Sequence, residues 1–170
     1  MRGVYFIKSI YLVTMIDTQK SDFIRSKFSE LIRNNPAAVA KWGKMNLQQM
    51  AEHVTDFFNV SNGKIQLPFV SPDEHLPKLK AFLLSDKEFR ENTKAPGQIL
   101  GEEPAPVRNE SMEVALIKLQ KSIERFFTYF EENPSAITSH PVFGPLNFEE
   151  WILLHYKHVT HHARQFGLMN

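Results

Sequence analysis

The chain has 170 residues, a hydrophobic fraction of 42% and no cysteine, and its 20 basic and 19 acidic residues give a net charge of +1. This length suits one domain with a sizeable core, and a near-neutral charge without a basic cluster argues against a nucleic-acid partner. Without cysteine, disulfides and a cysteine nucleophile are excluded, and any metal site must use histidine, aspartate or glutamate ligands.

The first segment, residues 1–16, lacks the features of a targeting or membrane segment. Lys8 interrupts its apolar stretch and no small-residue cleavage site precedes Asp17, whereas a signal peptide has an unbroken apolar core. A membrane span needs about 18 or more apolar residues. We expect an N-terminal extension that arises from an upstream start codon, or else a short strand or arm on the domain surface. Residues 17–170 are then predicted to form a single cytoplasmic domain without membrane contact.

Apolar residues that recur at helical spacing predict four long helices. The predicted helices are Ser21–Arg33, Asn46–Val60, Ser111–Asn133 and Asn147–Gly167. Two of them begin with a capping-box signal, in which Asn46 pairs with Gln49 and Asn147 pairs with Glu150. Gly167 is expected at the C′ position, where a helix ends in a left-handed backbone conformation.

The connection between the second and third helices, residues 63–110, is long and rich in proline and glycine. A short helix near Leu76–Leu84 is predicted to interrupt it. So long a connection in a compact domain is usually functional or wraps over the other elements, and we expect it to line a substrate entrance. No internal repeat or strand-rich alternation is visible. The sequence therefore predicts an all-α fold, a four-helix bundle with a long crossover connection between the second and third helices.

The fourth predicted helix carries four of the chain's seven histidines. At about 100° per residue, His155, His158 and His162 fall on one narrow stripe with Trp151 and Gln165, and this stripe is also the apolar face. His158 and His162 lie one turn apart, which suits chelation of a single ion. Imidazoles on an apolar stripe need a chemical reason, and a metal is the first candidate.

A third candidate ligand, His53, lies on the core side of the second helix with Met50 and Phe57. Packing of the second helix on the fourth would bring His53 to His158 and His162. Three neutral imidazoles with open coordination positions are typical of a catalytic zinc site. The alternative interpretation is that these are core histidines, each hydrogen-bonded to a neighbour.

The other histidines are predicted to lie outside this ligand set. His155 is either a neighbour that supports a ligand or a reserve ligand. The histidines expected at the rim or in exposed loops are His161, His75 and His140. Glu52 and Asp56, which flank His53, either orient an imidazole or act as a base, or else belong to a solvated helix face.

Three segments of the chain resemble the DinB-like superfamily. They are Trp42–His53 (WGKMNLQQMAEH), His140–Leu146 (HPVFGPL) and Trp151–Gly167 (WILLHYKHVTHHARQFG). The combination is similar to a branch with a W-G-K-M opening, an H-P-x-F-G-x-L loop and an H-H-x-R-Q-F-G ending. The resemblance implies a DinB-like four-helix bundle whose metal ion is bound by His53, His158 and His162.

The resemblance also implies a chemistry and an oligomeric state. Members of the superfamily include thiol transferases that use bacillithiol or mycothiol, glutathione-dependent isomerases and proposed hydrolases, and many form dimers. The ion would activate a small-molecule thiol or water. Zinc or nickel is the first expectation for this ion, and iron and manganese are the alternatives. We therefore expect a homodimeric, metal-dependent transferase or hydrolase that acts on a small-molecule substrate. The alternative is a non-catalytic metal-binding or dimerising bundle; DNA binding, which the superfamily's name raises, conflicts with the near-neutral charge.

Overall fold

A computed structural model describes residues 18–93, 96, 97, 99 and 101–170. The predicted N-terminal extension, residues 1–16, lies outside the described residues. The elements described are α1 (residues 18–34), α2 (Leu47–Ser61), α3 (Leu76–Leu83), α4 (Met112–Glu132), β1 (Thr138–His140), β2 (Gly144–Leu146) and α5 (Phe148–Gln165). Within α1, Phe23–Lys27 forms a π-helical turn. None of the described helices is long and apolar enough to cross a membrane.

The four long helices and the short α3 form where the sequence predicts them, and capping boxes set the starts of α2 and α5. The Asn46 side chain accepts a hydrogen bond from the Gln49 backbone N–H at 2.8 Å, and the Asn46 N–H donates to the Gln49 side chain at 2.9 Å. The same reciprocal box closes at Asn147 and Glu150. Gly167 follows α5 with φ +65°, as expected of a C′ glycine. These helix predictions are confirmed.

A small hairpin corrects the expectation of a purely helical chain. β1 pairs with β2 in antiparallel register, and each strand has only three residues, too few for an alternation to be visible in the sequence. The His140 ring closes the turn, because its Nδ1 accepts hydrogen bonds from the N–H groups of Val142 at 2.9 Å and Phe143 at 3.1 Å. His140 is buried rather than exposed as predicted, and this burial lowers its pKa to about 3. The fold is thus mostly helical with a two-stranded sheet.

One apolar core lies between α1, α2, α4 and α5. Aromatic side chains from all four helices are fully buried in it, among them Phe28, Phe58, Phe126, Phe127 and Trp151. Helix α2 packs on both α4 and α5. The contact between α2 and α5 positions the site, because it places His53 opposite the histidines of α5.

Candidate metal centre

His53 of α2 meets His158 and His162 of α5. The Nε2 atom of His158 lies 3.0 Å from Nε2 of His53 and 3.1 Å from Nε2 of His162. One ligand nitrogen from each ring lies within 4.8 Å of the other two. The rings are inclined to one another by 69° to 81°, so their edges rather than their faces meet. The structure thus brings together the three histidines that the sequence singled out.

The spacing of the three nitrogens fits a shared ion better than it fits hydrogen bonds alone. Two imidazole nitrogens bound to tetrahedral zinc at about 2.0–2.1 Å are roughly 3.3 Å apart, close to the observed 3.0 and 3.1 Å. A ring nitrogen of a neutral imidazole carries either one proton or one lone pair. His158 Nε2 can therefore satisfy only one of its two neighbours by hydrogen bonding. A cation at the centre would accept all three lone pairs.

The surroundings keep the three imidazoles neutral, as metal ligands must be. Burial lowers the pKa of His53 to about 4, although the Asp56 carboxylate partly opposes this. Burial also lowers the pKa values of His158 and His162 well below the ordinary range, and the neighbouring histidines add to the effect. At neutral pH each ring therefore has a lone pair to offer.

Two of the three candidate ligands are partly exposed to solvent. His162 is 4% exposed, whereas His53 and His158 are only half-buried. The ring of Phe57 lies against His158, with centroids 4.2 Å apart, and gives the site an apolar wall. His53 and His158 nevertheless each keep some contact with solvent.

A family model described as "Protein of unknown function (DUF1569)" matches residues 22–169. The chain belongs to this family. The matched range contains all three histidines and every described element from α2 to α5. A search of curated proteins and a search of solved structures each found no match to the chain. The family description names no ligand or reaction, so the function of this DUF1569 chain has to be inferred from the site itself.

His155 lies outside the three-histidine group, and its ring contacts the end of α2. Its ring stacks on Phe58 with centroids 3.8 Å apart and an interplanar angle of 10°. Its Nε2 donates to Ser61 Oγ at 2.9 Å, and that hydroxyl donates to the Phe58 carbonyl at 2.8 Å. The end of α2 thus binds Nε2 of His155, whereas its buried Nδ1 atom has no hydrogen-bond partner among the described residues.

His161 is buried, although the sequence placed it at the rim or surface. It is 7% exposed and lies between the rings of Trp42 and Phe89, each with its centroid 6.0 Å away. Burial lowers the pKa of His161, and the backbone of Phe89 partly opposes this. This face of α5 is covered because the 63–110 connection folds onto it. His75 is exposed, as predicted.

The 63–110 connection is fastened to α5, one of the two helices that carry the ligands. Lys157 is buried, and its Nζ donates to the carbonyls of Ser85 and Lys87 at 2.6 Å each. About two turns further along α5, Arg164 pairs with Glu88 at 2.8 Å. The sequence-based prediction did not include Lys157. Its position next to His158, on a helix with an extensive apolar face, could have indicated that this lysine is buried.

The other end of the connection is fastened to α2 by Glu52, which is 3% exposed. The carboxylate accepts hydrogen bonds from the backbone N–H groups of Arg108 at 2.9 Å and Asn109 at 3.0 Å. Burial opposes ionisation, but these donors outweigh it and lower the Glu52 pKa to about 2. Glu52 is therefore a fixed anion that binds a loop, and its carboxylate is hydrogen-bonded to Gln48, Arg108 and Asn109 rather than to an imidazole. Asp56 pairs with Arg108 at 2.8 Å.

Proposed function

We propose that the chain is a divalent-metal-dependent enzyme of the thiol transferase or hydrolase type. In this proposal His53, His158 and His162 hold the ion, and a small-molecule thiol or water attacks a bound electrophile. The observation that carries the proposal is the meeting of three Nε2 atoms, 3.0 and 3.1 Å from the central one, between two helices. Zinc or nickel suits three neutral imidazoles, and iron or manganese are the alternatives.

The proposed fold is a DinB-like four-helix bundle made by α1, α2, α4 and α5, with the 63–110 connection as its crossover. The core shared by these four helices supports this assignment. The DinB-like relationship also predicts a homodimer, which light scattering on the purified protein tests directly.

Three protein ligands are typical of a catalytic rather than a structural site, because they leave a position for an exogenous molecule. A divalent ion bound there would lower the pKa of a thiol or water beside it, so that the anion forms near neutral pH. The chain itself keeps the imidazoles neutral through burial. It also presents the apolar ring of Phe57 beside His158, which would exclude bulk water from one side of the nucleophile.

The test is the metal content of protein that is purified without a histidine tag. Wild type should contain one equivalent of a divalent metal per chain by mass spectrometry of the elements. His158→Ala should lose that metal, whereas His75→Ala, which changes an exposed histidine outside the site, should retain it. A wild-type protein that binds no metal after incubation with zinc or nickel would refute the proposal. A His158→Ala variant with the same metal content as wild type would also refute it.

A further inference from the structure

The loop that precedes α2 is docked against the C-terminal end of α5 by two reciprocal hydrogen bonds. The backbone N–H of Lys41 donates to the backbone carbonyl of Gln165 at 2.7 Å. In return, Nε2 of the Gln165 side chain donates to the backbone carbonyl of Trp42 at 2.9 Å. The loop therefore holds both the backbone and the side chain of Gln165.

The second hydrogen bond fixes which way the Gln165 amide points. Only its NH₂ group can donate to the Trp42 carbonyl, so Oε1 must face the other way. That oxygen lies 2.7 Å from Nδ1 of His162. Because Oε1 is an acceptor only, Nδ1 must carry the imidazole proton. Nε2 of His162 is then left with its lone pair directed at His158 Nε2, 3.1 Å away.

Gly43 makes this arrangement possible. Its φ of +77° lies in the left-handed region that favours glycine. A Cβ atom at this position would stand 2.8 Å from Nε2 of Gln165, closer than a side chain tolerates. Any larger residue would therefore push the Gln165 amide out of its place between Trp42 and His162.

The two ligands of α5 differ in this respect. Nδ1 of His158 is buried and has no hydrogen-bond partner in the described part of the chain. His162 alone of these two has a partner that imposes one tautomer. The loop thus acts on a single ligand rather than on the site as a whole.

We propose that Gln165 is a positioning residue that holds His162 in the Nδ1–H tautomer, and that the loop at Trp42 and Gly43 fixes the orientation of the Gln165 side-chain amide. The consequence for metal binding rests on the proposed function, because it requires His162 Nε2 to be a ligand. The tautomer itself does not require an ion. Partners of this kind, which orient a ligating histidine, typically change metal affinity by 10–100-fold when they are removed.

Two substitutions perturb Gln165, and each has a matched control. Gln165→Met removes the acceptor with little change of shape. Gln165→Glu loses the donor to the Trp42 carbonyl but keeps an oxygen opposite Nδ1, and should therefore still hold the proton on Nδ1. Gly43→Ala adds a methyl group against Gln165. Gly63→Ala is its control, since Gly63 has nearly the same φ, +75°, but nothing within 4 Å of the added Cβ. Backbone strain alone would affect the two alanine variants equally.

The first readout is the imidazole tautomer of His162 in metal-free protein, from long-range ¹H–¹⁵N correlation spectra. Wild type, Gly63→Ala and Gln165→Glu should show the Nδ1–H form, and Gln165→Met and Gly43→Ala should lose it. The second readout is zinc affinity by competition with a chelating dye. Gln165→Met and Gly43→Ala should bind zinc about 10–100-fold more weakly than wild type, whereas Gly63→Ala should match it.

The outcomes separate this inference from the proposed function. An Nε2–H tautomer in metal-free wild type would overturn the positioning role, as would wild-type zinc affinity in Gln165→Met. If wild type binds no zinc at all, the proposed function fails, and the tautomer spectra still decide whether Gln165 orients His162. If Gln165→Met does not fold, the comparison of Gly43→Ala with Gly63→Ala gives the same decision.

Discussion

Glu52→Gln tests how the 63–110 connection is held next to the candidate metal site. The carboxylate of Glu52 accepts two backbone N–H groups and the side-chain amides of Asn109 at 2.9 Å and Gln48 at 3.2 Å. A glutamine at this position has one acceptor oxygen instead of two, and its NH₂ group would face N–H groups that need an acceptor. It is therefore expected to weaken the attachment of Arg108 and Asn109 to α2.

The magnitude follows from the pKa of Glu52, which the fold lowers from 4.5 to about 2. A shift of this size corresponds to about 3 kcal/mol of stability, at 1.36 kcal/mol per pKa unit. The folded-state pKa lies below the unfolded one, so this stability is fully present above pH 4.5. It is lost as the pH falls towards 2, by about 1.4 kcal/mol per pH unit.

The assay is urea unfolding of wild type and Glu52→Gln between pH 7 and pH 3. We expect a gap of about 3 kcal/mol in the free energy of unfolding at pH 7, which narrows below pH 4.5 because Glu52 then becomes protonated in the unfolded state of wild type while it stays ionised in the folded state. Glu131→Gln is the control, because Glu131 is an exposed carboxylate whose partner is Arg25, and exposed ion pairs contribute little. A gap between wild type and Glu52→Gln that stays constant from pH 7 to pH 3 would refute the reasoning.

Three further predictions concern the ion, the core and the connection. Chelation of an ion bound at the proposed site should leave the far-ultraviolet circular dichroism spectrum unchanged, because α2 and α5 share their apolar core with α1 and α4. Unfolding on chelation would instead indicate a structural ion. His155→Ala should cost about 2–4 kcal/mol of stability through lost stacking and hydrogen bonding, but the variant should bind as much metal as wild type. Loss of the metal would contradict a structural role for His155. Lys157→Met should leave the carbonyls of Ser85 and Lys87 without their donor, at a cost of about 1–3 kcal/mol in stability. Amide hydrogen exchange in residues 85–89 should then be faster than in wild type. Unchanged exchange there would contradict the role of Lys157 in fastening the connection to α5.

The helices were predictable because the signals that set them are local. A capping box needs only residues three apart, as at Asn46 and Gln49, and the C′ glycine directly follows its helix. The stripe of His158 and His162 is equally local, since it depends only on helical spacing. The position of His53 opposite them could be predicted only by assuming that the second helix packs on the fourth. The contact between α2 and α5 confirms that assumption.

The burial of His140 and His161 could not be predicted, because it depends on distant parts of the chain. His161 is covered by Phe89, and His140 is buried by a hairpin whose strands have three residues each. The role of Gln165 was hidden for the same reason. It shares the histidine stripe, but its partner, the Trp42 carbonyl, lies 123 residues earlier and is a backbone atom without a sequence signature.

The most direct test of the metal site is a crystal structure of the zinc-soaked protein, with anomalous diffraction data at the zinc edge. We predict one anomalous peak per chain, about 2.0–2.1 Å from Nε2 of His53, His158 and His162, with Gln165 still bonded to Nδ1 of His162. A map with no peak between these three rings, or with zinc bound only elsewhere on the chain, would contradict the proposal that they form a metal site.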